Sequence, residues 1–397
     1  MSPRARPERP AEDVRAPNLQ EVARAARRSG RLALDTEFMG EGRYRTLLCL
    51  IQLAVPDGAA GERIELVDPL RAELDLAPLA RALADPEICV VVHAGRQDVA
   101  LVKRRLGTEV RNVFDTQVAA GFAGMPAQAS YDTLLAQVLG VKVAKSASFT
   151  RWDARPLSAE QLAYAREDVV HLLELAAALE DRLAELGRLQ WAREECEPLQ
   201  EAGDERDLET VLARLPRVRG LSPASQTIAR ELVRWREELA ARQDRPVQGV
   251  LSDAALVEVA KRKPTTAAKL EQIRGVSASS LRGRGRELLD AVHRGAELPV
   301  RALPEHARPP APDPEDAPLI ALAEALVRGR AREAHLAYEL LAARADLQAI
   351  VAAHRGGQEA DVRTLRGWRR ELVGAELLEL LDGGISLSVE GSRLRVR

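Results

Sequence analysis

Residues Ile88 to Ala94 read ICVVVHA, apolar at consecutive positions and rich in β-branched side chains. A strand with one wet face alternates polar and apolar, whereas a strand apolar on both faces needs cover on both sides. This run therefore predicts a sheet held between two layers of helices. Its neighbours agree. Arg31 to Phe38 (with LALDTEF), Thr46 to Val55 (TLLCLIQLAV), Arg63 to Asp68 (RIELVD) and the short Asn112 to Phe114 also read as strands. Helical periods fall at Asn18 to Ser29, Leu76 to Ala84, Gly95 to Leu106 and, longest, Ser158 to about Cys196. Strands first adjacent and then alternating with helices imply a mixed sheet, an α/β core.

Beyond this core only helix periods appear. Between Arg206 and Gly295 the candidates are Thr227 to Ala241, Asp253 to Arg262, Ala267 to Ile273 and Gly283 to Val292, with Pro246 and Pro264 where helices stop. Seven of the 22 prolines then fall between Pro299 and Pro318, which reads as an extended linker or strap. Leu319 to Arg397 is helical again and ends in two alternating runs around Glu390-Gly391, a hairpin pattern. The first 17 residues, rich in Pro and Arg, read as a disordered leader. The expected division is a leader over 1–17, an α/β domain over 18–200, a helical domain over 206–295, a linker over 296–318 and a second helical domain over 319–397.

Composition narrows the function classes. Aromatic residues make up only 3% of the chain, which favours helix and speaks against a β-sandwich. No apolar run approaches the ~20 residues needed to span a bilayer. The N-terminal residues lack the apolar core of a signal peptide, so a cytoplasmic protein is expected. Cys49, Cys89 and Cys196 lie far apart and form no CxxC pair, which excludes a disulfide framework or a zinc site. The net charge of −2 conceals an asymmetry: Arg206 to Gly295 holds 18 Lys and Arg against 11 Asp and Glu. Such a basic segment points to a nucleic-acid-facing module, a solvated face being the plainer alternative.

The chemistry sits in four acids and a tyrosine. Asp35 and Glu37 end the first strand, and side chains two apart on a strand share a face. Two carboxylates aimed alike repel unless a cation lies between them. Asp98 falls in the first turn of the helix after ICVVVHA, where compensation of the helix dipole, worth ~0.3–1 kcal/mol, would account for it alone. Tyr164 and Asp168 are four apart on one helix face, above an apolar stripe of Leu162, Val169, Leu172 and Leu173. Each feature has an ordinary structural explanation by itself. Together the four acids make a set of hard oxygen donors suited to Mg²⁺ or Mn²⁺. Two such ions ~3.5–4 Å apart stabilise the attacking and leaving oxygens of a phosphodiester displacement. A tyrosine one turn before the last acid could hold the attacking water.

DTEF (Asp35 to Phe38), LIQLA (Leu50 to Ala54), HAGRQD (His93 to Asp98), FDTQ (Phe114 to Gln117) and YAREDV (Tyr164 to Val169) occur in the order and spacing of ribonuclease D. On these motifs, and on Lys145-Ser146 to Trp152 and Arg155-Pro156-Leu157, the chain resembles that family, the tyrosine subtype of the DEDD exonucleases. The resemblance implies an RNase H-like core. It implies a 3′–5′ exoribonuclease that releases nucleoside 5′-monophosphates and trims 3′ extensions of tRNA precursors and other structured RNAs. It also implies that Asp35, Glu37, Asp98 and Asp168 ligate two divalent ions, Mg²⁺ or Mn²⁺. Asp35 would bridge both, Glu37 and Asp168 would serve one, and Asp98 the other. Tyr164 would place the nucleophilic water, Phe38 would pack on the terminal base and Arg155 would contact a phosphate.

LVRWREELAARQDRPVQGVLSDAAL and LEQIRGV resemble the helicase-and-RNase-D C-terminal (HRDC) domain, a helical nucleic-acid-binding module. AYELLAARADLQAIV and Gly367 to Leu372 look like a divergent second copy. Two positions depart from the family pattern: Arg151, where an aspartate is common, and Arg284, where an aromatic often sits. RNA is the expected partner, with no membrane, and the expected state is a monomer. His93 is expected to be buried or to border the site, His171 to be a structural helix residue and Asp115 a helix cap; Cys49 and Cys89 read as inert core thiols. There is no GxxxxGK[ST], so helicase activity is not expected. Two alternatives remain: a proofreading-type DNA exonuclease, and a catalytically inactive RNA-binding protein, against which the intact acids speak.

Overall fold

The computed structural model describes residues 17–58, 61–126, 128–143, 151–276, 284–304, 313–391 and 393–397. The expected leader, apart from its last residue, lies outside them, as do Lys145 and Ser146 and the middle of the Pro-rich segment.

Five strands form one sheet: β1 (Arg31–Met39), β2 (Leu47–Pro56), β3 (Glu62–Val67), β4 (Cys89–Val92) and β5 (Val113–Asp115), in the order β3-β2-β1-β4-β5. β2 pairs antiparallel with β1 and β3, while β4 pairs parallel with β1 and β5, so the sheet is mixed. Val90, Val91 and Val92 are fully buried, as a central strand covered on both faces must be. Leu32, Leu34, Leu53, Val90 and Val92 pack on one side with helices α1 (Leu19–Ser29), α2 (Ala77–Leu83) and α3 (Arg96–Leu106). Ala33, Ala54, Val91 and Phe114 face the other way, towards α4 (Thr116–Phe122), α5 (Tyr131–Leu134), α7 (Leu172–Glu185) and α8 (Leu189–Cys196). Helix α6 (Ala159–Val170) lies over β1, β2 and β3. It starts at a capping box in which Ser158 and Gln161 satisfy each other's backbone N–H groups.

The single helix expected from Ser158 to Cys196 is three helices, α6 to α8. It breaks at His171, with φ −116° and ψ 7°, and at Gly187, with φ 68°. Apolar periodicity continues across both breaks, which hid them. The breaks let α6 cover the antiparallel edge of the sheet while α7 turns to reach β4. His171 is therefore a junction rather than a helix-interior residue.

The second unit is helical: α9 (Leu208–Arg214), α10 (Pro223–Arg242), α11 (Val247–Val250), α12 (Asp253–Arg262), α13 (Ala267–Glu271) and α14 (Gly285–Glu297). It has its own core, with Leu232, Val233, Leu256, Val259, Leu288 and Ala291 at the centre. α10 and α14 approach so closely at Gly295 that a Cβ there would lie 2.8 Å from the Ile228 Cα. Arg236 is buried in this core, donating to the Asp253 carboxylate (2.6 Å) and the Leu251 carbonyl (3.1 Å). The described start of the Pro-rich segment is strapped to α10. The Arg301 N–H donates to Thr227 Oγ1 and the Leu303 N–H to Gln226 Oε1. The segment's far end is already helix from Asp316, with Pro318 in the first turn.

The C-terminal segment comprises α15 (Asp316–Glu333), α16 (Tyr338–Leu341), α17 (Arg344–Arg355), α18 (Gly367–Arg369), α19 (Ala375–Leu381) and the hairpin β6 (Leu387–Glu390) and β7 (Arg393–Val396). Its core is continuous with that of the α/β unit. Val327, Leu347, Val351 and Leu377 bury in one cluster with Leu172, Leu175, Leu179 and Leu183. The Trp368 ring stacks on Trp191 (centroids 5.2 Å apart) and meets Phe122 edge-on (5.1 Å). Arg369 pairs with Glu195 at 2.6 Å, and Arg188 donates to the Ala334 carbonyl. No helix among the described residues is long and apolar enough to cross a membrane.

Candidate active site

Asp35 and Glu37 lie on the face of β1 that also carries Ala33. In register opposite Asp35 is Gln52 and opposite Glu37 is Leu50. A bulge between Glu37 and Phe38 then turns the strand, and Phe38 emerges 38% exposed beside the acids. Asp168 and Tyr164 come from α6, and the Tyr164 hydroxyl hydrogen-bonds the Asp168 carboxylate. The Tyr164 ring leans on Trp152 at 6.1 Å. Asp98 sits in the first turn of α3, buried, with its carboxylate accepting from the Thr36 hydroxyl.

The turn that delivers Asp98 is tightly built. Ala94 adopts a left-handed φ of 52°, and a Cβ on Gly95 would fall 2.4 Å from the Val92 Cβ. Asp115 holds this turn. Its carboxylate accepts the N–H groups of Ala94 (3.0 Å) and Gly95 (2.9 Å), and also those of Gln117 and Val118 at the start of α4. It is thus a helix cap, and one carboxylate fixes the geometry of two motifs. His93 hydrogen-bonds Thr116 through Nδ1, and burial holds its imidazole below its ordinary pKa.

The electrostatics tie the four acids together. Burial, then the charges of Asp98, Asp168 and Glu37, raise Asp35 well above the usual carboxylate range. Burial, then Asp168 and Asp98, raise Glu37 to about 8. Asp168 rises to about 7 and Asp98 to about 6, in both cases chiefly from burial. Like charges gathered in a low-dielectric place behave this way when no cation offsets them. Among the described residues, no group of three His, Cys, Asp or Glu side chains is drawn in to direct metal-ligating geometry. In particular, Asp98 is turned onto Thr36. The donor set still fits a divalent cation: four hard oxygen ligands, mutually repelling, with no basic side chain among the causes of their shifts.

Arg155 does something other than expected. Its Nε and Nη2 bind the buried Asp68 carboxylate bidentately, both at 2.7 Å. Nη2 also reaches the Cys49 carbonyl, and Nη1 reaches those of Trp152 and Ala154. All five N–H groups are engaged, so no donor is left for a phosphate. Arg155 clamps the 151–157 segment to β2 and to the end of β3. Cys49 and Cys89 have thiols raised by burial to about 11, as inert core thiols should. Reading by sequence missed two polar groups near the acids. The Gln52 amide, opposite Asp35, is fully buried with neither atom hydrogen-bonded, and the Tyr131 hydroxyl is enclosed beside the His171 backbone. The Gln52 position lay within a recognised motif, whereas nothing in the sequence marks Tyr131.

The chain is similar to known exonucleases along most of its length. The 3′–5′ exonuclease family profile matches residues 16–184, and the HRDC domain profile matches residues 225–292. The ribonuclease D of Granulibacter bethesdensis is 36% identical over 382 residues, covering 96% of this chain and 94% of its own length. That of Gluconacetobacter diazotrophicus is 37% identical over 383 residues, covering 95% and 94%. The crystal structure of Escherichia coli RNase D, described as an exoribonuclease involved in structured RNA processing, superposes with a TM-score of 0.75. It is 30% identical and covers 92% of this chain and 96% of that one.

Proposed function

Because the chain belongs to the ribonuclease D family of 3′–5′ exoribonucleases, we propose that it shortens RNA from the 3′ end, releasing nucleoside 5′-monophosphates, with Asp35, Glu37, Asp98, Asp168 and Tyr164 as its site. The observation that carries the residue assignment is the convergence of four carboxylates from β1, α3 and α6 with a tyrosine bonded to one of them. The family uses divalent metal, and we assign two ions, Mg²⁺ or Mn²⁺, to the four carboxylates. When bound, the ions supply Lewis-acid activation of water and offset charge on the phosphate.

The remaining work falls to the chain's own side chains. Tyr164 stays protonated, because burial and the neighbouring carboxylates push its phenol above its ordinary value. Bonded to Asp168, it is a neutral, oriented group able to hold a water in line with the scissile bond. Phe38, exposed just past the bulge, offers a surface on which the terminal base stacks. The HRDC unit carries the exposed basic run Lys261, Arg262 and Lys263 at the end of α12, which suits phosphate contact. We take tRNA precursors with 3′ extensions as the substrate, in line with the structured-RNA role of the Escherichia coli relative.

The test is a time course on 3′-labelled and 5′-labelled RNA with a single-stranded 3′ tail, run with Mg²⁺, Mn²⁺ or EDTA and with matching DNA alongside. Stepwise loss from the RNA 3′ end, stopped by EDTA, is expected. RNA bound without cleavage under any metal would leave only a binding protein.

A further inference from the structure

An open groove of about 500 Å³ lies between α15 and the C-terminal hairpin. Arg328 and Arg332 line it from the helix and Arg393 and Arg395 from β7, all four exposed. Among the described residues that line it the one acid is Glu333, which pairs with Arg330 at 2.5 Å. The two elements meet at Gly329, where a Cβ would lie 3.1 Å from the Leu394 Cδ2. That contact seats the hairpin on the helix.

Exposed arginines are ordinarily matched by acids, which makes a solvated face the plainer reading of such a cluster. Two of the four are matched, Arg328 by Glu324 (2.7 Å) and Arg395 by Glu390 (3.2 Å). Arg332 and Arg393 are not: among the described residues no carboxylate lies within ion-pair distance of either. Four guanidiniums around one concavity raise the local potential and draw anions into it, in a chain whose net charge is −2.

The spacing fits a chain of anions better than a single one. Arg393 and Arg395 are two apart on a strand, ~6.7 Å along it. Arg328 and Arg332 are four apart on a helix, ~6 Å along it. Extended nucleotide strands present successive phosphates at such intervals, and guanidiniums take phosphate oxygens bidentately. None of the described lining residues is aromatic, and Arg328 covers the nearby Tyr338 ring at 4.6 Å. The groove therefore meets a backbone and offers no ring on which to stack a base. Because the C-terminal segment shares its core with the nuclease, the groove is held in a fixed place relative to the acids.

We propose that this groove is an RNA-binding site of the C-terminal segment, separate from the basic run on α12, which grips the phosphate backbone of the substrate's body while its 3′ end lies at the acids. The identity of the strand rests on the exoribonuclease reading above.

The test uses the full-length protein and two double variants that lose the same charge: Arg332→Gln with Arg393→Gln in the groove, and Arg81→Gln with Arg182→Gln at exposed positions elsewhere. Binding to a tRNA-sized RNA with a single-stranded 3′ tail is read by fluorescence anisotropy in EDTA over a range of salt. The groove variant binds on the order of tenfold more weakly at ~0.1 M salt, and its plot of log affinity against log salt is shallower by about 1.4–1.8, as the loss of two phosphate contacts requires. With metal, its KM for that RNA rises by a similar factor, while kcat, the turnover of a trinucleotide and the thermal midpoint equal those of the wild type. Wild-type affinity and slope in the groove variant overturn the proposal and leave the groove to an acidic protein. An equal loss in the control pair also overturns it, since net charge alone then explains the effect, and so does an equal loss on the trinucleotide. RNA bound through the groove but left intact by the wild type under every metal sinks the exoribonuclease reading, while the groove remains an RNA site.

Discussion

At the scale of single residues, the acids are set against one another and their charge is held in check by protons. Unfolded carboxyls titrate near 4, whereas Asp98, Asp168 and Glu37 titrate at about 6, 7 and 8 in the fold. Between those limits the folded chain binds more protons than the unfolded one. The stabilisation is therefore complete below pH about 4 and is lost as pH rises through about 6 to 8. The thermal midpoint of the metal-free protein should fall from pH 5 to pH 8, and fall less in Asp168→Asn. A midpoint that is level or rises over that range would show that the acids are not coupled as described. The same Asp168→Asn substitution should abolish cleavage and leave RNA binding intact, read by gel assay and fluorescence anisotropy. Loss of both would make Asp168 a structural residue. Spacing pairs Asp35 with Glu37, and Tyr164 with Asp168, in the sequence, whereas Asp98 joined them only through the family motif HAGRQD. The role of Arg155 was not legible there, since a sequence does not show whether a guanidinium's five donors are already taken. Nor was the unpaired amide of Gln52, because a missing partner leaves no trace in a motif.

At the scale of elements, the site depends on turns more than on strands. Asp115 holds the left-handed turn at Ala94 and caps α4 with the same carboxylate. Asp115→Ala should cost about 1–3 kcal/mol in urea unfolding, since it leaves buried N–H groups unpaired. It should also slow cleavage, because Asp98 follows directly from that turn. Unchanged activity would mean that Asp98 is placed by Thr36 alone. Arg155→Lys should cost about 2–3 kcal/mol, because an ammonium cannot replace a bidentate fork and Asp68 is left buried. Strand positions were readable because two-residue alternation and β-branched runs write burial directly into the sequence. The breaks at His171 and Gly187 were not, because the apolar stripe passes through them and only the change of direction between sheet and C-terminal helices explains them.

At the scale of the whole molecule, the chain joins a nuclease to two helical attachments in two different ways. The HRDC unit keeps its own core and touches the nuclease at the β1–β2 connection, where Arg43 pairs with Asp244 (2.6 Å), the Tyr44 N–H donates to the same carboxylate (3.3 Å) and Tyr44 packs against that core. Arg43 lies between β1 and β2, a few residues past the acids. Phosphate contacts made by such a basic unit release counterions, so log affinity for RNA should fall linearly with log salt concentration. A salt-independent affinity would remove the unit from the RNA interface. The C-terminal segment is attached through apolar packing instead. Trp368→Ala, which empties a buried position between Phe122 and Trp191, should cost about 3–5 kcal/mol by denaturant titration. A cost below about 1 kcal/mol would mean that the segment is dispensable to the nuclease fold. The sequence showed helices there but not their partner, since an apolar helix face does not name the surface that it covers.

That shared core also sets an order of events on the ribosome. The apolar surface begun by α4 is closed by Trp368, and the two rings lie roughly 250 residues apart in the chain, on the order of 10–50 s of synthesis at ~5–20 residues per second. A nascent chain carries all four acids long before it carries the wall that completes the core beneath the sheet. The core beneath the sheet is closed only after Trp368 has emerged, so a product truncated before that residue is born without its closing wall.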